Sequence, residues 1–239
     1  MDRPHRLAAA LLDTFPVNGE GKEGFAALSE AMARQPLHEI GPAGAGAEPA
    51  ALGFALALAA SWAGPGHIFW AGEDGCFAED GAPYPPGLAG FGLDLDRFVV
   101  IRAGKREEAL WAAEQVLGLA GAVVMCALSG RGKPLDLKAT RRLLLCAERA
   151  RARCLLLRPR VEASAAWTRW RVAPAPSIAP ARELGAPAFE LELARSRSGP
   201  AGARFVVEWN GYEFAERDVA RGVSPALGDG SADPRRARA

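Results

Sequence analysis

The sequence predicts a doubly wound α/β domain, in which helices cover both faces of a mostly parallel sheet. Short apolar runs of strand length alternate with helical segments from residue 38 to about residue 172. The run at 122–128 is continuously apolar, which is typical of strands that are buried on both faces. The 239 residues are 49% apolar and 24% charged, with a mean hydropathy of −0.01, so the chain has the composition of a globular protein.

The predicted elements alternate along the chain. Strands are expected at 38–40, 67–71, 97–102, 122–128, 154–157 and 167–172, and helices at 49–63, 105–119 and 136–152. Pro49 and Gly64 delimit the first of these helices, which is apolar on nearly all sides. The polar, proline-rich residues 72–86 predict a loop. This order is that of parallel βαβ units with right-handed crossovers.

Composition divides the chain into four segments. Residues 1–35 predict an N-terminal helical segment, and residues 36–173 predict the α/β core. Residues 174–214 combine a proline-rich connector with antiparallel strands at 189–194, 204–209 and 212–214. Residues 215–239 have the composition of a disordered tail.

Apolar segments and cysteines exclude several kinds of protein. The longest uncharged stretch, 49–72, is interrupted by Gly64-Pro65-Gly66 and is too short to cross a bilayer, and the N-terminus has no signal-peptide pattern. We therefore expect a cytoplasmic protein that does not bind membranes. The four cysteines are scattered without a C-x-x-C pair, and they fit buried reduced thiols better than disulfides or a zinc site.

The net charge of +1 hides an asymmetry between the two parts of the chain. Residues 1–100 carry a net charge of −8, and residues 101–239 carry +9. The basic part permits a surface for nucleic acid or for an acidic protein, but an acidic half packing against a basic half gives the same pattern. Four basic side chains fall within about 60° of arc at helical spacing. They are Lys138, Arg142, Arg149 and Arg153. This stripe is either a candidate DNA or partner surface or a solvated helix face.

A glycine-rich loop follows the first strand, at the position of a phosphate-binding loop. The pattern G-x-x-x-x-G-K-[ST] needs a lysine for the β- and γ-phosphates and a hydroxyl for Mg²⁺. Gly41 and Gly46 keep its spacing, but Ala47 takes the lysine position and Glu48 takes the hydroxyl position. A carboxylate about 4 Å from a phosphate charge costs roughly 4 kcal/mol at an effective dielectric constant of about 20. We expect a chemically silent loop, in which Glu48 can satisfy the helix dipole itself.

The acidic residues of a nucleotide-hydrolysing site are also incomplete. The strand expected to hold Mg²⁺ offers Cys126 in place of an acid. Glu73 follows the second strand, where ATPases of this plan keep the glutamate that polarises water, and without metal or phosphate it is interpreted as a solvated loop residue. The three histidines lie far apart, and no G-x-S-x-G elbow is present. We therefore expect a non-enzyme without a cofactor or metal.

Seven segments carry a family resemblance. H-E-I-G-P at 38–42, the strand at 68–70 followed by Glu73, G-L-D-L-D-R at 92–97 and A-L-W-A-A-E-Q at 109–115 resemble the ATPase core of RecA recombinases. L-D-L-K-A-T-R-R-L at 135–143, L-L-L-R-P at 155–159 and T-R-W-R-V-A-P-A-P-S at 168–177 resemble ImuA, the family of RecA-like accessory proteins of bacterial translesion mutagenesis. The similarity covers roughly residues 36–214, and the segment at 168–177 is its most specific part.

The resemblance implies a RecA-like fold with a degenerate P-loop and a non-catalytic adaptor role in the SOS response to DNA damage. It implies action in error-prone translesion synthesis beside an ImuB-like protein, a catalytically inactive relative of Y-family polymerases. An error-prone DNA polymerase III α-type subunit and RecA are further implied partners. A modulator of RecA–DNA filaments and an atypical ATPase are the alternatives.

Two further surfaces bear on these alternatives. The DNA-binding loops of RecA correspond to 129–134 and to about 160–166, which are short here, so DNA contact is expected to be weak or indirect. Arg195 and Arg197, in the C-terminal strands, are candidates for a partner surface, because arginine is frequent at interface hot spots. Trp167 and Trp170 are further candidates, although Trp170 fits a core position equally well.

Overall fold

The computed structural model describes residues 24–131, 134–160, 163–178 and 185–217. These residues form nine strands. The strands are β1 (Leu37–Pro42), β2 (Ile68–Glu73), β3 (Phe98–Ala103), β4 (Val123–Ala127), β5 (Arg153–Leu157), β6 (Thr168–Pro174), β7 (Ala188–Ser196), β8 (Arg204–Trp209) and β9 (Phe214–Arg217).

All nine strands belong to one sheet, in the order β3-β2-β4-β5-β1-β6-β7-β8-β9. The six strands from β3 to β6 in this order are parallel, and β7, β8 and β9 continue the sheet in antiparallel pairing. The predicted fold class, a mostly parallel α/β sheet with C-terminal antiparallel strands, is confirmed. Because parallel strands end at the same edge, the loops after β1, β2, β4 and β5 converge at the carboxyl edge of the sheet.

Helices lie on both faces of the parallel part. They are α1 (Gly24–Ala33), α2 (Glu48–Ala63), α3 (Asp74–Asp80), α4 (Pro85–Gly90), α5 (Arg106–Val116) and α6 (Leu137–Ala150), with a short 3₁₀ turn at Leu95–Arg97. α1 and α2 pack on one face and α5 and α6 on the other, and each pair buries its own apolar core. The longest helix in the described residues is α2, and none of these helices is long and apolar enough to cross a membrane.

Aromatic side chains fill the core on the α1 and α2 face. The Phe25 ring lies 6.0 Å from that of Phe54 and 6.2 Å from that of Trp170. Trp170 is fully buried, so the structure places it in the core and excludes it from the candidate partner surface. The aromatic rings of β8 and β9 join this cluster, with Phe205 at 5.5 Å and Phe214 at 5.1 Å from Phe25. The C-terminal strands therefore share a core with α1.

His38 connects α1, β1 and β6. Its Nε2 lies 2.9 Å from the Met32 carbonyl oxygen, and its Nδ1 lies 2.7 Å from Thr168 Oγ1. Trp170 Nε1 donates to the same Thr168 oxygen at 3.0 Å. These contacts fit a neutral imidazole that donates to Met32 and accepts from the Thr168 hydroxyl. Burial lowers the pKa of His38 to about 4, because the charged form is desolvated.

The prediction of a loop at 72–86 is wrong. β2 continues to Glu73, and the helices α3 and α4 follow it. Phe77 and Leu88 are buried, and the Phe77 ring lies 5.7 Å from that of Trp70. Two apolar anchors in an otherwise polar, proline-rich stretch are enough to fold it onto the sheet, which composition alone did not indicate.

The C-terminal end of the sheet differs from the prediction. The strand expected at 212–214 is β9 at Phe214–Arg217, so the first three residues of the predicted tail are strand. A turn precedes it, because the Asn210 side chain accepts hydrogen bonds from the backbone N–H groups of Tyr212 and Glu213. The rest of the predicted tail, most of the predicted N-terminal helical segment and residues 179–184 of the connector lie outside the described residues.

Candidate functional site

The loop between β1 and α2 keeps the shape of a glycine-rich turn. Two of its backbone N–H groups donate hydrogen bonds within the protein. Ala43 N donates to Val172 O at 2.8 Å, and Ala47 N donates to Gly44 O at 3.2 Å. Gly46 has a φ of +81°, a left-handed conformation that favours glycine. A Cβ on Gly41 would lie 2.7 Å from the Arg158 carbonyl oxygen. The two glycines are thus explained by backbone geometry, and two N–H groups that could face a phosphate are already bonded.

Glu48 is the first residue of α2, and it is exposed. A carboxylate at this position interacts favourably with the positive end of the helix dipole. Ala47 beside it is buried and brings no charge, and Pro49 has no N–H to offer an anion. A phosphate at this point would meet a carboxylate without a compensating ammonium group.

A cavity of about 220 Å³ lies next to this loop, at the carboxyl ends of β1, β4 and β5. Ile40, Leu52 and Leu157 contribute apolar walls. Trp70 also lines it, and its buried indole N–H has no partner among the described residues. Arg131, on the rim, forms an ion pair with Glu79 at 2.7 Å. The place of a nucleotide in this fold is therefore a small and largely apolar cavity.

The end of β4 offers no metal ligand to this cavity. Cys126 packs in the core under α5 and α6, whereas Ala127 lines the cavity on the other face of the sheet. Ala127, and not Cys126, thus occupies the strand position that faces the loop. Burial raises the pKa of the Cys126 thiol well above its usual range and that of Cys154 to about 12. Within the described residues, His, Cys, Asp and Glu form no group of three that could hold a metal ion.

Glu73 is buried, and its interpretation as a solvated loop residue is wrong. Its Oε1 accepts from Arg106 Nε at 3.1 Å and from Ser129 N at 3.2 Å, and its Oε2 accepts from Ser129 Oγ at 2.7 Å. Arg106 also donates to the carbonyl oxygens of Ser129 and Arg131. The carboxylate ties the ends of β2 and β4 to the start of α5, and its oxygens are occupied by protein donors. The contact follows from the pairing of β2 with β4 in the sheet, and a correct prediction of that strand order would have indicated it.

The predicted basic stripe does not lie on one helix. Lys138, Arg142 and Arg149 are exposed on α6, but Arg153 is the first residue of β5 and donates to the Trp62 carbonyl oxygen. Burial lowers the pKa of Arg153. Arg142 forms an ion pair with Glu114 of α5 at 2.5 Å. Of the four residues, only Lys138 and Arg149 remain as exposed cations without an ion pair to another described residue.

A groove of about 860 Å³ separates α5 from α6. Lys138 and Arg142 line it together with Glu107 and Glu114, so its charges are mixed. Trp111 lies on its α5 side and is 61% exposed. Exposed tryptophan next to charged side chains is frequent at protein interfaces.

Arg195 and Arg197 have different roles. Arg195 is half-buried, and its Nη1 donates to the Ser164 carbonyl oxygen at 2.8 Å, which holds β7 against the segment before β6. The Arg197 guanidinium is exposed and stacks over the Trp167 ring at 5.7 Å. Partial burial, followed by repulsion from Arg195, lowers the pKa of Arg197. Arg197 is therefore available to a partner, whereas Arg195 supports the fold.

The comparisons with known proteins agree with the sequence motifs. No family model matches the chain. Protein ImuA of Caulobacter vibrioides is 36% identical over 133 residues, which is 50% of this chain and 53% of that protein, and the values are the same for the protein from a second strain. The chain is similar to ImuA. It spans about half the length of these curated relatives, and the resemblance inferred from the motifs is confirmed over that part.

Solved structures support the fold. The RadB recombinase superimposes with a TM-score of 0.50 at 14% identity, covering 77% of this chain and 91% of RadB. SulA from Pseudomonas aeruginosa overlaps with 52% of this chain and 98% of its own at a TM-score of 0.39 and 18% identity, which is too low to support an argument. The RadB similarity establishes a RecA-like fold for the ImuA-like chain.

Proposed function

We propose that this chain is a non-catalytic RecA-like adaptor in SOS-induced error-prone translesion DNA synthesis, and that it acts by binding an ImuB-like protein. The similarity to ImuA supports a place in the translesion mutagenesis system. The observation that carries the non-catalytic part is the arrangement at the carboxyl edge. There Glu73 is held by Arg106 and Ser129, while Ala127 faces the loop.

Nucleotide hydrolysis needs an anion site, a metal site and a carboxylate that orients water. At the carboxyl edge the loop brings Glu48 in place of a hydroxyl, and the end of β4 brings Ala127 in place of an acid. Glu73 is held by arginine and serine, so it is not poised to orient water. Each of the three requirements fails separately, and repairing one does not restore the others.

A protein without chemistry of its own acts through its surface. The groove beside Trp111 and the exposed Arg197 are the partner-binding candidates that the described residues offer. In this proposal the ImuB-like protein is the main partner, an error-prone polymerase III α-type subunit and RecA are further partners, and contact with DNA is weak or indirect. The adaptor acts in the cytoplasm, where the chromosome is replicated.

Capture of the ImuB-like protein from the same organism tests this proposal. We expect the tagged chain to capture it equally with ATP and Mg²⁺, with ADP, and without nucleotide. The matched variant Ala47→Lys with Glu48→Thr restores the lysine and the hydroxyl of the loop, and we expect it to capture the partner as wild type does and to remain without ATPase activity. Capture that requires ATP and Mg²⁺, no capture, or turnover in the variant would contradict the proposal.

A further inference from the structure

The amino edge of the sheet holds a second site, opposite the degenerate loop. A cavity of about 490 Å³ lies between the end of α1, the end of α6 and the starts of β1 and β5. Arg34, Arg151 and Arg153 line it, and Trp167 forms part of its wall. Glu148 is the one carboxylate among the lining residues. We refer to this site as the arginine cavity.

Arg197 extends the arginine cavity on the outside of Trp167. Its guanidinium stacks on the Trp167 ring, and its charge interacts with Arg195 and Arg141 as well as with Glu148. The repulsion from the two arginines contributes to the lowered pKa of Arg197. Positive charge is thus concentrated around one tryptophan with a single carboxylate to balance it.

The protein neutralises these cations only in part. Arg34 has one long ion pair, to Glu30 at 3.9 Å, and both side chains are more than 70% exposed. Arg141 and Arg151 form no ion pair within the described part of the chain. The buried indole N–H of Trp167 has no hydrogen-bond partner there either. A ligand with several oxygen acceptors and negative charge would satisfy both the arginines and the indole.

Arg151 adopts an unusual backbone conformation. It follows α6 with a φ of +52°, and it is the one residue other than glycine with positive φ in the described ranges. Helices usually place glycine or asparagine in this conformation, because a side chain there costs about 1 kcal/mol. The favourable interaction of a cation with the helix C-terminus returns part of that cost. The chain therefore places an arginine at the cavity wall, in a backbone conformation that would favour glycine.

We propose that the arginine cavity binds a carboxylate-rich segment of a partner protein. The cavity has a volume of about 490 Å³, so it suits a short segment better than a continuous polyanion. Glu148 repels a phosphodiester chain, which carries a charge at every nucleotide, whereas a peptide can place its carboxylates away from Glu148. Planar guanidinium groups bind carboxylates in a bidentate way, and the Trp167 N–H provides an additional donor. The site is independent of the identity of the partner proposed above.

Binding of a fluorescein-labelled decapeptide of alternating glutamate and glycine, measured by anisotropy at low salt, tests this site. We expect saturable binding to the full chain. The variant Arg151→Glu with Arg197→Glu should raise the Kd by about tenfold or more, because both side chains are exposed cations of the site. The control variant Arg149→Glu with Arg160→Glu makes the same change in net charge at exposed residues that line neither the cavity nor the groove between α5 and α6, and its Kd should stay within about twofold. Melting temperatures establish that both variants fold.

Three results would overturn the inference. One is the absence of saturable peptide binding by the wild type. Another is an equal loss of affinity in the two variants, which would indicate a general charge effect. The third is tighter binding of a labelled thymidine hexanucleotide that depends on Arg151 and Arg197, which would assign the cavity to nucleic acid. A failure of this test leaves the capture experiment with the ImuB-like protein unaffected, so the two proposals are tested separately.

Discussion

The carboxyl edge and the amino edge of the sheet differ in how their charged side chains are paired. At the carboxyl edge Glu73 is paired with Arg106, and Glu79 is paired with Arg131. Deeper in the same region Glu39 lies between Arg158 and Arg169. At the amino edge Arg151 has no carboxylate partner among the described residues. These carboxylates at the carboxyl edge are thus paired within the chain, whereas Arg151 in the arginine cavity is left without a carboxylate partner.

The difference indicates that one sheet can use charged side chains in two ways. The Glu73 carboxylate ties two strands to a helix through Arg106 and Ser129. Such a residue serves folding. A binding site needs charged side chains that are held in position but have no ion-pair partner in the protein, so that a ligand can pair with them.

Removal of Glu39 should give the largest effect on stability. Glu39 is 2% exposed, and its oxygens lie 2.5 Å from Arg158 Nε and 3.0 Å from Arg169 Nη2. We expect Glu39→Ala to lower the free energy of unfolding by about 4 kcal/mol, because the buried guanidinium of Arg158 and the half-buried guanidinium of Arg169 lose their shared carboxylate. Urea denaturation measures this change. The exposed strand residue Glu190 provides the control, and Glu190→Ala should change stability by less than about 0.5 kcal/mol. A loss below about 1 kcal/mol for Glu39→Ala would contradict the view that this ion cluster is structural.

Protonation of His38, at the amino side of β1, should make the free energy of unfolding depend on pH. The pKa of His38 is lowered to about 4 in the folded protein, so the unfolded chain binds more protons between pH 4 and the unfolded pKa of about 6.5. Stability from the neutral imidazole is complete above pH 6.5 and falls by about 3 kcal/mol as the pH decreases towards 4. Urea titrations across this range measure the slope. His38→Gln should abolish this part of the slope, whereas replacement of the exposed His67 by glutamine should leave it unchanged; an unaltered slope in His38→Gln would assign it to other groups.

The substitution Arg151→Gly should have the smallest effect on the free energy of unfolding, and we expect it to be stabilising. Arg151→Gly removes a side chain from a left-handed conformation, and we expect a gain of about 0.5 kcal/mol after the loss of the helix-end charge. Arg149→Gly, inside the last turn of α6, should instead cost about 1 kcal/mol. Thermal and urea unfolding of both variants distinguish the two outcomes. If Arg151→Gly is clearly destabilising, Arg151 serves folding and its place in the arginine cavity loses support.

The sequence predicted the parallel sheet well because its signals are local. Continuous apolar runs such as 122–128 mark buried strands, and Asp136, at the start of the helix predicted at 136–152, caps α6 by accepting a hydrogen bond from Ala139 N at 2.7 Å. The loop chemistry was also local, since Ala47 and Glu48 can be identified from spacing alone. The helices α3 and α4 were missed, because their few apolar anchors gain their effect only against the folded sheet.

The site residues that were missed depend on contacts between distant parts of the chain. Glu73 and Ser129 are separated by 56 positions, and their contact requires β2 and β4 to be neighbours. The arginine cavity joins Arg34 of the α1 end to Arg151 and Trp167, which no linear pattern brings together. The stripe ending at Arg153 failed for a related reason, since α6 ends at Ala150 and the chain reverses into β5. Helical spacing is informative only as far as the helix extends.

Calorimetric titration of the wild-type chain with ATP and Mg²⁺ tests the central claim most directly, which is that the carboxyl edge is closed to nucleotide. We predict no saturable heat below millimolar ATP, and the same result with ADP, because Glu48 opposes the phosphates and neither Ala47 nor Ala127 offers a ligand. Saturable binding with a micromolar dissociation constant that depends on Mg²⁺ would contradict this account, since it would require a phosphate and metal site at an edge where Glu48 is exposed, Glu73 is paired with Arg106 and the cavity is largely apolar.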